Sequence, residues 1–265
     1  MSAPRPVPTT LPQRFGHGLG LPFRAFGLLA AHPALWPLAA APAVLAGVGL
    51  ALGMIFGWHM AHVLLAHLWL EPAGPIVHGA WEAVHVTLFA TLVLTATLLP
   101  PMVLAAPFLD LLSTLVEARV LGTPGEPWEL GRFARGIVTS VVNALARLLR
   151  FGIVQALLFA LSFIPPIAPV LPILSFLWSA IWLSEQALDQ TAARHLLTWR
   201  DTRDAVRSVR PTGFGMGLVL GAVFLVPLAN LFLVPLATIS GALLYCDLVA
   251  SGRFSRSARS PQAAP

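Results

Sequence analysis

Long apolar runs separated by short polar connections dominate the chain. No Asp, Glu, Lys or Arg occurs from Ala25 to Leu70, Ala83 to Leu109, Phe151 to Ser184 or Pro211 to Cys246. A bilayer-crossing helix needs roughly 20 apolar residues, so each run is long enough to be embedded in a membrane. The pattern predicts a first span over about 36–66 and a second over about 83–109. Prolines interrupt the later runs: Ile164-Pro165-Pro166-Ile167-Ala168-Pro169 in the third, and Pro227 to Pro235, around Asn230, in the fourth. Proline lacks an N–H and breaks the helical ladder, so both sites read as tips of helical hairpins, over about 151–184 and 212–247.

Arginine placement sets the direction of each run. Arg5, Arg14 and Arg24 precede the first, whereas the connection over 67–82 has no arginine or lysine. The positive-inside rule therefore predicts a cytoplasmic N-terminus and an external connection. Arg147 and Arg150 lie before the third run, a cluster from Arg194 to Arg210 separates it from the fourth, and Arg253, Arg256 and Arg259 follow. A single crossing by either run would strand one cluster on the wrong side, so each run enters and returns, and the C-terminus is cytoplasmic too. A helix from Phe151 to Ile164 reaches only about 21 Å, against roughly 30 Å of hydrocarbon. The expected fold is an all-α integral membrane protein with two long transmembrane helices plus two Pro-broken, partly penetrating helical hairpins. It forms one domain over 13–250 between flexible tails at 1–12 and 251–265. Backbone exposed at a hairpin tip must be covered by protein, which predicts a tight bundle or a homo-oligomer in the lipid bilayer.

Composition narrows the function. The chain is 57% apolar and 10% charged, with mean hydropathy +0.80, against about 25% charged in ordinary globular proteins. A soluble enzyme and a disordered chain are both excluded. The net charge of +5 sits in loops and fits topology better than nucleic acid. A single cysteine, Cys246, allows no internal disulfide and no thiolate metal centre. Gly-x-Ser-x-Gly, P-loop and His-Glu-x-x-His patterns are missing, so no catalytic residue, cofactor or metal is expected. Five histidines, His59, His62, His67, His78 and His85, gather near the outer ends of the first two spans. They read either as interfacial rings or as a metal or pH-sensing site. Gly213, Gly215, Gly217 and Gly221 read as close-packing positions between helices.

Candidate chemistry lies in an amphipathic segment starting near Pro127. At 100° per residue, Arg132, Arg135, Thr139, Asn143, Arg147 and Arg150 fall within an arc of about 120°. These arginines either snorkel to headgroups or line a water-filled vestibule, where guanidinium forks suit sulfate or phosphate. Asn230, at an apolar tip, either caps a broken helix or marks a polar point on an anion path. Glu185, Gln186, Asp189 and Arg194 form a candidate polar cluster at the inner mouth of the first hairpin. Its carboxylates pair with Arg194 or another arginine, or else carry protons. Arg200, Arg203, Arg207 and Arg210, interleaved with Asp201 and Asp204, read as a self-neutralised solvated face.

Several linked patterns resemble one known family, the CysZ-type sulfate permeases and relatives carrying the etoposide-induced 2.4 domain. They are Ala105-Ala106-Pro107-Phe108, Glu117-Ala118-Arg119 with Gly122, Phe163-Ile164-Pro165, Trp178 to Gln186 with Asp189, Gly213-Phe214-Gly215, and Val226-Pro227-Leu228-Ala229-Asn230-Leu231-Phe232 with Pro235. The resemblance covers roughly Phe15 to Val249. It implies an oligomeric, multi-pass helical protein of the bacterial inner membrane that passes sulfate or a related small inorganic anion. The alternative within the same family is a non-transporting membrane scaffold or assembly factor. The permeases' Gly-Leu-Arg or Gly-Ile-Arg anion element is replaced here by His32-Pro33-Ala34-Leu35-Trp36, so that site is not carried over.

Overall fold

The structure is a computed structural model that describes residues 3–72, 74–122, 130–195, 197, 199–226 and 232–252; the side chains of 98–103, 130–141, 143, 193, 194 and 199 lie outside that description. Among the described residues all regular structure is helical: α1 (Leu11–Ala31), α2 (Trp36–Leu68), α3 (Pro75–Leu104), α4 (Ala106–Leu121), α5 (Leu130–Leu161), α6 (Leu171–Arg194), α7 (Trp199–Ser208), α8 (Arg210–Phe224) and α9 (Leu233–Ala250). Five stretches, 33–68, 75–97, 144–161, 168–192 and 233–250, are long and apolar enough to cross a membrane. The chain is thus an all-α, multi-pass membrane protein. It divides into two compact units, Pro37–Phe108 and a larger one made of Met1–Trp36 with Leu109–Pro265.

In the smaller unit α2 and α3 run antiparallel along a stripe of small residues. Gly49, Gly53, Gly57, Ala61 and Leu65 recur every four positions and are buried. A Cβ on Gly49 would fall on the Ala96 carbonyl oxygen, while Gly53 lies against Val93 and Gly57 against Phe89. Without a lateral hydrophobic force in lipid, helices associate through such close backbone contact. The second span differs from expectation at both ends. It begins eight residues earlier, at Pro75, because proline suits the first turn of a helix. It ends at Leu104, because Pro107 offers no N–H to continue the ladder.

The larger unit is built around α9, which is buried over most of its length. α1 and α6 each lie across both α8 and α9, and α5 packs on the outside of α6. The α8 glycines divide their work. Gly215 meets the backbone of α1 at Phe15, while Gly213, Gly217 and Gly221 face Ser184, Ala180 and Phe176 of α6. Gly241 brings α9 onto the Ala187 carbonyl in the same way. α1 is a separate helix that the apolar run conceals, set off from α2 by a 3-10 turn at Pro33–Leu35. Its buried residues, Gly18, Leu21, Pro22, Ala25 and Leu28, follow a helical period. The segment before it, expected as a loose tail, is tied to the end of α9: the Arg5 amide donates to Asp247 at 2.7 Å and the Val7 amide to Ser251 at 2.8 Å. α4 closes on Gly122, whose φ of 66° is the left-handed conformation that terminates helices at glycine.

The first proline-rich tip forms a turn over residues 162–170, with backbone bonds such as Ile164 N–H to Leu161 O at 3.0 Å. The helix leading into it is longer than expected. α5 is continuous over 32 residues, so the amphipathic segment and the hairpin arm are one helix. In the second hairpin, 227–231 lie outside the described residues, and α8 and α9 touch each other little, each packing instead on α1 and α6.

Replacing Gly217 or Gly241 with alanine should lower the thermal stability of detergent-solubilised protein by about 1–3 kcal/mol, through overpacking against a helix backbone. Gly27→Ala, where a Cβ meets nothing within 4 Å, should instead keep or slightly raise the melting temperature, because alanine is the better helix former.

Candidate functional site: an ion-paired seam between two helices

α5 and α6 face each other with charges in register. Arg147 Nη1 lies 2.7 Å from Asp189 Oδ2, their side chains 8% and 4% exposed. Three residues further along α5, Arg150 Nη2 donates to Glu185 Oε1 at 3.0 Å. The Arg150 guanidinium carbon also sits 5.0 Å from the Trp178 ring centroid, within cation–π range. Deeper in the hairpin the seam continues with neutral groups. Ser175 Oγ donates to Gln155 Oε1 at 2.8 Å, and Gln155 Nε2 reaches Ser179 Oγ at 3.5 Å. The residues Ser175, Trp178, Ser179, Trp182, Glu185 and Asp189 form one α6 stripe because their spacings of three and four residues repeat the helical turn.

The sequence-predicted residues divide as follows. Arg147, Arg150, Glu185 and Asp189 are brought together, with the carboxylates meeting α5 arginines. Gln186 neighbours the same seam, and its Oε1 is buried without a hydrogen-bond partner. Arg132 and Arg135 share α5, and Arg194 ends α6, but their side chains lie outside the description. Asn230 lies outside the described residues. Sequence reasoning missed Gln155, Ser175, Ser179, Trp178 and Trp182, whose signal was the shared helical face.

Two further charge clusters brace the larger unit. Asp247 on α9 is fully buried and takes Arg24 at 2.8 Å and His17 at 3.0 Å, both from α1. His195 meets Glu117 of α4 at 2.9 Å and stacks on Tyr245 of α9, with ring centroids 4.6 Å apart. On α7, Asp204 lies 3.5 Å from Arg203 and 3.9 Å from Arg207.

In the smaller unit, three of the five histidines join an aromatic cluster. His85 lies 4.3 Å from Trp58 and 5.4 Å from Trp81, while His62 sits 5.5 Å from Trp81 between ring centroids. His78 stacks on Trp81 and approaches Glu71 at 3.4 Å. His67 turns to its own helix, with Nδ1 2.7 Å from the Val63 carbonyl. Among the described residues no group of three His, Cys, Asp or Glu side chains is placed to hold a metal.

Removing one member of a buried pair leaves its partner's charge uncompensated. Asp189→Leu should therefore destabilise the protein by about 3–5 kcal/mol, and the Arg147→Met/Asp189→Leu double variant should recover most of that loss. Denaturation of the three proteins in mixed micelles measures both values.

Residues 21–235 match the family described as sulfate transporter CysZ/etoposide-induced protein 2.4. The match begins inside α1 and ends at the start of α9, taking in the whole of the smaller unit, most of the larger one and the whole α5–α6 seam. The chain therefore belongs to the sulfate transporter CysZ/etoposide-induced protein 2.4 family, as a multi-pass membrane protein of a transporter lineage.

Proposed function

We propose that the protein passes sulfate or a related small tetrahedral oxyanion across the bacterial inner membrane, with both termini cytoplasmic and the chain acting as a homo-oligomer. The observation that carries the reading is the α5–α6 seam, in which ionised and polar side chains occupy segments otherwise apolar enough to lie in lipid. Ionisable groups buried among apolar membrane helices are costly, and they point to a functional site by default. Arg132 and Arg135 continue the same helical spacing towards the start of α5, and the sequence adds one polar residue, Asn230, between Pro227 and Pro235. The family membership supports the substrate class.

The two hairpins enter from the cytoplasm and turn back within the bilayer. Beyond Arg150 the uncharged part of α5 runs from Phe151 to Leu161, about 17 Å of helix, roughly half the hydrocarbon thickness. A second reading, a non-transporting scaffold, draws on the one-to-one pairing of the seam, since charges that neutralise each other also serve as a structural lock.

Proteoliposomes containing the protein should take up radiolabelled sulfate faster than empty vesicles, and the Arg132/Arg135/Arg147/Arg150→Gln variant should lose that uptake by about tenfold or more. Uptake equal to empty vesicles overturns the transport reading, and a cellular function that survives the fourfold variant selects the scaffold. In a Cys246→Ser background, Pro166→Cys should resist membrane-impermeant maleimide added from either side and react after solubilisation; ready labelling from the periplasm would remove the re-entrant topology.

A further inference from the structure

The α5–α6 seam holds more hydrogen-bond donors than its own acceptors use. Arg150 spends Nη2 on Glu185, but its Nη1 is buried with no hydrogen-bond partner. The indole Nε1–H groups of Trp178 and Trp182 are likewise buried and unpartnered. These tryptophans sit one turn apart on the α6 face that meets α5. Trp178 lies under the Arg150 guanidinium, and the Trp182 ring is 4.8 Å from that of Phe151, the residue next to Arg150. Folded proteins leave few buried donors unsatisfied. Guanidinium and indole can only donate, so the missing partner is an acceptor. Gln186 Oε1, one turn from Trp182, is a carbonyl oxygen with two lone pairs and can answer at most two of these three donors.

We infer that the Arg150 end of the seam is an oxyanion-docking point at which Glu185 is a tethered competitor. The incoming tetrahedral anion displaces the Glu185 carboxylate from Arg150. It then accepts hydrogen bonds from both terminal guanidinium nitrogens and from the Trp178 and Trp182 N–H groups. A carboxylate offers two oxygens on one plane, whereas a tetrahedral anion offers four oxygens in different directions, which suits donors arriving from two helices. With the site empty, Glu185 neutralises Arg150 and keeps the seam closed. The inference rests on the oxyanion-passage reading and names the residues that select the ligand.

The test is equilibrium binding of radiolabelled sulfate to the purified full-length protein in detergent, each variant first checked for monodispersity and melting temperature. Trp178→Phe/Trp182→Phe keeps both aromatic rings but removes both N–H groups, and should weaken binding by about tenfold or more. Glu185→Gln removes the competing charge and should tighten binding, whereas Arg150→Gln should abolish it. Opposite signs for the two halves of one ion pair separate this arrangement from a structural lock, in which both changes weaken binding through loss of fold. Wild-type affinity in the double phenylalanine variant overturns the inference and means that water or Gln186 satisfies the donors. Uptake by proteoliposomes separates the two ideas. Wild-type protein that binds through these residues without transporting leaves the docking point standing and removes the transport reading. Transport with unchanged affinity in the phenylalanine variant does the reverse, and absence of both in the wild type removes both.

Discussion

A charge enclosed by apolar helices must arrive together with its opposite, and that requirement decides how the larger unit closes. Arg147 and Arg150 on α5 meet Asp189 and Glu185 on α6, and together with the Ser175–Gln155 hydrogen bond and the Phe151–Trp182 ring contact they fix the register of the two helices. Asp247 plays the same part in the last turn of α9, where three donors from the N-terminal segment and α1 satisfy both carboxylate oxygens. Desolvating these groups is unfavourable, and pairing offsets it only when the geometry is good. The pairs therefore specify arrangement more than they add stability. Close packing at Gly217 and Gly241 supplies the contact area that holds the arrangement together.

The seam and the glycine contacts are linked through α6. One face of that helix carries Trp178, Trp182, Glu185 and Asp189 towards α5, while Ala180 and Ala187 receive Gly217 and Gly241 from α8 and α9. A helix held on one side by backbone contact presents the other side with little freedom. Thr238 of α9 also hydrogen-bonds Gln190, so the end of α6 that bears Asp189 is anchored as well. Positioning of this kind suits a site that must distinguish ligands by the direction of their oxygens.

Much of this was legible in the sequence, for identifiable reasons. Uncharged runs gave the membrane helices, and the prolines at 165, 166 and 169 gave the first tip. The small residues of α8 gave close packing, because glycine spacing of four is a backbone-contact signal in lipid. The same signal at Gly49, Gly53 and Gly57 was overlooked, being submerged in a run already read as a span. α1 was hidden because its apolar end joins that of α2 with no charge between Ala25 and Trp36; only His32 and Pro33 hint at the break. The partners of Arg147 and Arg150 were within reach. Reflecting them through the middle of the tip lands within about one turn of Asp189 and Glu185. Asp247 was not, since a lone carboxylate ending an apolar run does not reveal which distant arginine it meets.

The Arg24–Asp247 pair joins residues 223 positions apart. Ribosomes add about 5–20 residues per second, so α1 is made roughly 10–45 s before the carboxylate that will neutralise its arginine exists. During that interval α1 is an amphipathic helix with a cationic edge and an unfilled apolar face, features that hold a segment at the surface of an anionic bilayer. Completion of the bundle is thereby timed by the emergence of its last helix, and a chain truncated before α9 would leave its first helix stranded at the lipid surface.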